Sequence, residues 1–302
     1  MSTVRLAGAL TTVLLLVLLQ SGGASAREDA LVGTIVFSRG DATYSDLFTV
    51  QANGSHLRQL TRTRISEQSP SWSPDGKSIA YVRAGRRFAF YRMSANGRNN
   101  RLLLLGDASV NESFADPQWS PDGKRLSFSS LGTGGSRVWT IGLDGTRTIV
   151  TTASATHASW SPDGRRLAYA GLDEQGRSAI FVIGADGRGA RQVTRPEVAD
   201  QQPVWSPDGK WIAFQSLNPR WRRREVDSLE VVRPDGTGRR RVLRGGVMSP
   251  QAWSPGSERI LFLRIGGAHA TGPRKLFTVP LIGGRAQAVA GTDGASGGSW
   301  HR

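Results

Sequence analysis

Four histidines, His56, His157, His269 and His301, are the whole supply of imidazole in this chain. None stands two to four residues from another, the spacing at which one segment clasps a metal ion. Cysteine is absent, which removes thiolate nucleophiles, thiolate ligands and disulfides together. Gly294-Ala295-Ser296-Gly297-Gly298 has the lettering of a serine nucleophile elbow. That elbow needs a strand on one side and a helix on the other, whereas these letters stand in a glycine-rich tail. No G-x-x-x-x-G-K-[ST] loop is present to offer its amides to a phosphate. On these grounds no catalytic, cofactor-binding or metal residue is assigned, and no cofactor is expected. The remaining polar groups cluster just ahead of recurring tryptophans: Glu67 and Gln68, Glu112 and Asp116, His157, then Asp200, Gln201 and Gln202. Carboxylates, amides and an imidazole in one ring could hold a peptide segment, a sugar or a cation.

The elements that must position these groups are written as a repeat. WSPDGK begins at Trp72 and at Trp119, WSPDGR at Trp160, WSPDGK at Trp205 and the eroded WSPGSE at Trp253; a last Trp300 stands two residues from the end. Self-similarity at 41 to 48 residues signals stacked supersecondary units. Ser-Pro-Asp-Gly suits a tight turn, because Pro presets φ and Gly accepts a left-handed conformation. A short Trp-ending strand precedes each turn, and KSIAYV, KRLSFSS, RRLAYAG, KWIAFQS or ERILFLR follows it. These segments are rich in β-branched and aromatic residues and apolar on both faces, as expected of strands held between two layers. A second turn, at Asn96-Gly97, Asp144-Gly145, Asp186-Gly187, Asp235-Gly236 and Gly283-Gly284, joins two further strands as a hairpin. Each unit thus has four antiparallel strands, A to D.

Residues 31–61 contain strands B, C and D around Asn53-Gly54 but no Trp-bearing strand A, while GGSWHR at 297–302 supplies an A with nothing after it. Five whole units and two complementary fragments make an all-β, six-bladed β-propeller of four-stranded antiparallel blades. The C-terminal strand joins the N-terminal blade and closes the ring, which removes free sheet edges. Trp72, Trp119, Trp160, Trp205, Trp253 and Trp300 are expected to be packing elements between blades, and Trp139 and Trp211 core residues.

The first residues read differently. Arg5 precedes the apolar run LAGALTTVLLLVLL (6–19), and Ala24-Ser25-Ala26 offers a small-x-small cleavage site. This predicts a cleaved signal peptide over 1–26 and a single propeller domain over 27–302. No other run is long enough to span a bilayer. The expected product is an exported monomer, periplasmic or extracellular, without a transmembrane segment. Net charge is +15 with a pI near 11.3, which attracts polyanions; Lys77, Lys124, Lys210 and Lys275 are the only lysines, so the excess is arginine.

WSPDGK, the proline of SPSW, DPQW and QPVW, and hairpins ending in LT, VT or VL resemble the WD40-like (PD40) repeat of the TolB family, along essentially all of 31–302. The resemblance implies a six-bladed propeller used as a docking body. It also occurs beside peptidase domains and in polyuronate lyases. TolB carries an α/β domain ahead of its propeller, for which the residues between 26 and 31 leave no room. The expected function is therefore a non-catalytic exported scaffold, TolB-like but without that domain, whose partner is an envelope protein or an anionic polymer. Export makes nucleic acid no physiological partner. The alternative is a carbohydrate-active enzyme of polyuronate-lyase type at the channel mouth, around His157. Tight A–B and C–D turns share one face; the D–A and B–C connections share the other, vary from blade to blade, and are where binding belongs. On that face LNPRWRRREVDS (217–228) places Trp221 beside Arg222 and Arg223, an aromatic–cation pairing suited to polyanion or protein docking.

Overall fold

A strand that is apolar on both sides must be covered on both sides, and the architecture follows from that requirement. The computed structural model describes residues 31–40, 44–109, 112–151, 154–197, 199–217, 227–265 and 273–302. The expected leader (1–26), Trp221, Arg222 and Arg223 lie outside the described residues. Blade I begins with β1 (Thr34–Gly40), β2 (Ser45–Gln51) and β3 (Arg58–Gln59). Blade II holds β4 (Ser66–Trp72), β5 (Ser78–Ala84), β6 (Phe88–Ser94) and β7 (Arg101–Leu105). Blade III holds β8 (Ser113–Trp119), β9 (Arg125–Gly132), β10 (Gly135–Gly142) and β11 (Arg147–Ile149). Blade IV has β12 (Ala155–Trp160), β13 (Arg166–Leu172), β14 (Ser178–Gly184) and β15 (Arg191–Gln192). Blade V has β16 (Ala199–Trp205), β17 (Ile212–Leu217), β18 (Ser228–Val232) and β19 (Arg240–Arg244). Blade VI has β20 (Val247–Trp253), β21 (Arg259–Ile265), β22 (Arg274–Pro280) and β23 (Gln287–Ala288), and the chain ends in β24 (Ala295–His301). Among the described residues these form six four-stranded antiparallel sheets.

β24 pairs with β1, Trp300 opposite Ile35 and His301 opposite Thr34, so both chain ends share blade I. The closure read from the two fragments is therefore present.

Hydrophobic burial is distributed as slabs between neighbouring blades rather than as one central core. One slab joins Val36 and Leu47 of blade I to Ile79, Tyr81 and Met93 of blade II. The next joins Ala80, Val82 and Phe90 to Phe114, Trp119, Leu126, Phe128 and Ile141. Successive residues of β5, Ile79 and Ala80, thus face different slabs, which is the period-two geometry of a strand buried on both sides. Inside the second slab Phe114 stacks on Phe90 at 4.8 Å and meets Phe128 edge-on at 5.4 Å. The slab between blades VI and I gathers Leu261, Leu263 and Leu276 with Ile35, Phe37 and Trp300.

The recurring tryptophans fasten these slabs with polar contacts. Trp119 Nε1 donates to Ser71 O at 3.2 Å, Trp160 Nε1 to Gln118 O at 3.2 Å and Trp253 Nε1 to Val204 O at 2.9 Å. In each case the acceptor is the residue before the tryptophan of the preceding blade. Trp300 Nε1 donates to Val32 O at 3.0 Å. Trp205 turns its indole N–H to Gly209 O of its own turn, while its backbone N–H donates to Ser159 Oγ at 2.9 Å. Trp72 is half-buried and its indole nitrogen has no partner. There the link is Trp72 N–H to Ser299 Oγ, with the His301 ring 5.9 Å from the indole.

The A–B turns close as their lettering requires. Ser73, Ser120 and Ser161 each donate to the aspartate two residues on, at 2.5 to 2.6 Å, and that carboxylate accepts the next N–H from Lys77, Lys124 or Arg165. The serine hydroxyl and then the amide hold Asp75, Asp122 and Asp163 below the ordinary carboxyl value of 3.8. In blade VI, where Gly256 replaces the aspartate, Ser257 takes the left-handed conformation (φ 62) that glycine takes in the other turns. Its hydroxyl accepts from Asp208 N–H at 3.0 Å.

Two outcomes are expected. Trp300→Ala should lower unfolding stability by about 3–5 kcal/mol in urea titration, and deletion of 295–302 should lower Tm sharply, since it reopens the ring at β1. Carboxyls held low in the folded chain stabilise it above their unfolded value and lose that contribution as pH falls through the lower folded value. Tm should therefore hold from pH 7 to about 4.5 and drop below pH 4. In the triple variant Asp75→Asn, Asp122→Asn, Asp163→Asn that drop should be shallower.

Candidate functional site

Every inner strand carries one residue more than the strand it pairs with, and this extra residue builds the site. On β4 the register runs from Gln68 opposite Val82 to Ser71 opposite Ala80, three residues against two. The same step occurs at Ala115/Gln118, Thr156/Ser159 and Gln201/Val204, and related shifts at Pro250/Ala252 and on the β1–β24 pair. A β-bulge of this kind re-aims a side chain. Here it turns the third residue before each tryptophan into the channel: Ser69, Asp116, His157, Gln202, Pro250 and Gly297 all line one cavity.

Four of these adopt a conformation L-residues avoid. Ser69, Asp116, His157 and Gln202 have φ of 49, 53, 55 and 55°. Left-handed backbone costs a non-glycine residue about 1–2 kcal/mol. The bulge leaves each of the four in that conformation, and strain of this sort collects at binding and catalytic sites. Pro250, with φ fixed by its ring, cannot follow, and its strand carries its register shift between Pro250 and Ala252 instead.

The cavity measures about 290 Å³, at the small end of ligand sites, which run to roughly 1,000 Å³. His157 Nε2 lies 3.3 Å from Asp116 Oδ2, and Nδ1 lies 2.9 Å from Thr156 Oγ1. His157 N–H donates to Ser129 Oγ at 2.8 Å, which pins the backbone below the ring. An imidazole that donates from Nε2 to the carboxylate accepts at Nδ1 from the threonine hydroxyl, so these partners select one tautomer. The Gln202 Oε1 atom is buried without a hydrogen-bond partner, an acceptor that a ligand donor would satisfy. Gln251 is held at both ends of its amide, donating to Ser249 Oγ at 2.6 Å and accepting from Gly298 N–H at 3.1 Å. Arg274, at the B–C end of blade VI, also lines the cavity and has no carboxylate partner among the described residues. Blades III and VI are three apart in a ring of six, so Asp116 and Arg274 face each other from opposite walls. Pro70, Pro203, Leu263 and Ile265 supply apolar surface between them.

Of the polar residues picked out ahead of the tryptophans, the fold gathers Asp116, His157 and Gln202 in this cavity and places the others elsewhere. Glu67 and Asp200 are fully buried, five residues before their tryptophans, where the other blades carry Phe114, Ala155, Met248 and Ala295. Glu67 Oε1 accepts from Arg83 at 2.9 Å. Asp200 pairs with Arg239 at 2.9 Å, and Arg239 also reaches Glu230 at 2.8 Å. Burial pushes the Asp200 carboxyl upward against the pull of Arg239. Glu112 pairs with Arg147 at 2.6 Å, whose guanidinium lies 4.5 Å over the Trp139 ring. Gln68 is exposed and Gln201 half-buried, and neither lines the cavity. Ser69, Gln118, Gln251 and Arg274 were not singled out in the sequence; a fixed offset from each tryptophan would have found Ser69. Among the described residues no three His, Asp or Glu side chains come together as a metal-binding group.

Residues 109–219 match the family model of the TolB beta propeller domain (PD40), so the repeat type read from WSPDGK is present. TolB from Acinetobacter baumannii superposes with a TM-score of 0.76 at 19% identity, over 89% of this chain and 66% of that one. A candidate TolB from Agrobacterium tumefaciens gives 0.69 at 22% identity, over 88% and 90% of the two chains. An oligogalacturonate lyase in complex with manganese gives 0.59 at 15% identity, over 85% and 74%. At these identities the likeness is one of fold. The chain spans 66% of the length of the Acinetobacter protein. No curated protein matches it by sequence.

The strained positions can be tested directly. Gln202→Gly should hold stability level or raise it by up to about 1 kcal/mol, because glycine relieves the left-handed backbone. Gln201→Gly, one residue away without positive φ, should lose about 0.5–1 kcal/mol. Paired urea titrations measure both.

Proposed function

We propose that this TolB-like propeller is a non-catalytic, exported binding scaffold, which accepts a polar segment of an envelope protein or envelope polymer at the channel cavity. The observation that carries the reading is the strained quartet. Four successive inner strands hold hydroxyl, carboxylate, imidazole and amide in left-handed conformations aimed at one space. Channel packing alone asks for nothing so varied; glycine would take the left-handed conformation at these positions without strain. Asp116 and Arg274 on opposite walls suit a chain segment that presents a donor on one side and an acceptor on the other. Proline, leucine and isoleucine between them suit its apolar stem. The apolar run and Ala24-Ser25-Ala26 support export to the periplasm or beyond. The likeness to TolB structures supports the docking reading.

The His157–Asp116 pair favours a second reading, a polyuronate-lyase-like enzyme. A carboxylate-supported imidazole could take a proton from a sugar carbon acidified by its neighbouring carboxyl. The manganese of the lyase-type neighbour would meet one carboxylate and one imidazole here, Asp116 and His157, and among the described residues no third His, Asp or Glu joins them, a set that does not fit a resident metal.

Two measurements separate the readings. The double variant His157→Ala, Gln202→Ala, checked for an unchanged melting curve, should recover at least about tenfold less cross-linked partner from an envelope fraction, consistent with loss of about 1.4 kcal/mol or more. Unchanged recovery would remove the channel from the binding surface. Incubation of the native protein with a polyuronate and Mn²⁺ should release no unsaturated uronate; its appearance would transfer the site to the lyase reading.

A further inference from the structure

One blade places an aromatic ring where others carry arginine at the turn face, far along the strands from the bulges. At the second residue after the glycine of the A–B turn, blades III and IV carry Arg125 and Arg166. Their guanidinium groups lie over the tryptophan of the following blade, 5.0 Å from the Trp160 ring and 5.1 Å from the Trp205 ring. Blade V has Trp211 at this position, and no arginine covers Trp253 among the described residues. Trp211 instead is approached by two arginines of its own blade, Arg233 at 5.2 Å and Arg240 at 5.3 Å from its ring centre.

Trp211, Arg166, Arg191, Lys210, Arg233 and the Pro234-Asp235 turn line a cleft of about 410 Å³ between blades IV and V. Its charge is not internally balanced. Among the described residues, none of Arg166, Arg191 and Arg233 has a carboxylate within salt-bridge distance. Arg191 gives two of its five N–H donors to backbone carbonyls, Pro234 O at 2.6 Å and Asp235 O at 3.1 Å, and keeps the rest for a ligand. The one carboxylate in the lining, Asp235, accepts from Thr237 N–H at 2.8 Å and Thr237 Oγ1 at 2.7 Å and feels Arg233 and Arg191, a single negative charge against the four cations Arg166, Arg191, Lys210 and Arg233. Lys210 has only a loose contact of 3.5 Å with Asp208 and is 75% exposed. Several cations held around one half-buried indole repel each other until an anion joins them.

We infer that this cleft is an anion site for a carboxylated sugar of an acidic glycan, distinct from the channel cavity and independent of its function. Planar guanidinium groups grip a carboxylate with two parallel hydrogen bonds. The part of the Trp211 indole that lines the cleft offers apolar surface to the C–H groups of the sugar. A bare phosphate would use the cations and leave the indole without a role.

The test is calorimetric titration of the full chain with a short oligoglucuronate, a neutral glucose oligomer of equal length, inorganic phosphate and a single-stranded oligonucleotide. The uronate should bind and the neutral oligomer should not. Arg191→Gln with Arg233→Gln should weaken uronate binding at least about tenfold, the weight of one charge-assisted hydrogen bond. Arg58→Gln with Arg98→Gln removes the same number of charges from exposed positions on blades I and II and should leave binding within about twofold. Trp211→Leu, which keeps an apolar filler against the core, should weaken the uronate while leaving phosphate unaffected. Equal losses in both double variants would mean diffuse attraction to a basic protein and would overturn the site. So would tighter binding of the oligonucleotide or of phosphate than of the uronate, or no uronate binding at all.

Discussion

The constraint on which this structure depends is that no blade can be stable alone. Each sheet buries both faces, Ile79 toward one neighbour and Ala80 toward the other. A lone blade would expose both layers, at about 25 cal/mol for each Å² of apolar surface. The only arrangement that covers every face without a terminal cap is a closed ring. The last contact in that ring is between the two ends of the chain, where β24 enters blade I and Trp300 joins the slab formed by Ile35, Phe37 and Leu261. Closure is thus a condition for the other slabs as much as a local feature.

Within a closed ring the inner strands are the least free to vary, yet they carry the variation that matters. Their outer ends are committed to the tryptophan contacts, repeated from blade to blade through Ser71, Gln118 and Val204. The bulge separates that structural end from the channel end. One additional residue per strand lets the tryptophan stay in register with its slab while the residue three before it leaves the ladder. Repeated backbone geometry can therefore present serine, aspartate, histidine and glutamine in turn without disturbing the packing behind them.

Charge in this molecule divides along the same lines. The arginines do not make a uniform basic surface; they have several tasks. Arg83 and Arg239 neutralise Glu67 and Asp200 in a register otherwise filled by apolar side chains. Removing either arginine would leave a buried carboxylate uncompensated, a large penalty. Arg125, Arg147 and Arg166 lie over aromatic rings. Where blade V carries Trp211 in place of arginine, cations without a carboxylate in salt-bridge distance among the described residues gather in one cleft. A net charge of +15 therefore says little until each arginine is placed.

The fold was legible in the letters because its signals are local. A turn needs Pro, Asp and Gly at fixed offsets, a two-sided strand needs an unbroken apolar run, and six tryptophans at a steady interval count the blades. The channel site was half legible. Asp116, His157 and Gln202 stood out as polar residues near their tryptophans, but Glu67 and Asp200 looked the same and proved to be buried ion-pair partners. Proximity to a tryptophan does not reveal which face a side chain takes, since one extra residue in a strand reverses the alternation. That extra residue is invisible in sequence when it is serine or glutamine rather than glycine. It exists because β4, β8, β12 and β16 must satisfy their partner strands and their neighbouring blades together, and such a compromise is made only when all of them are in place.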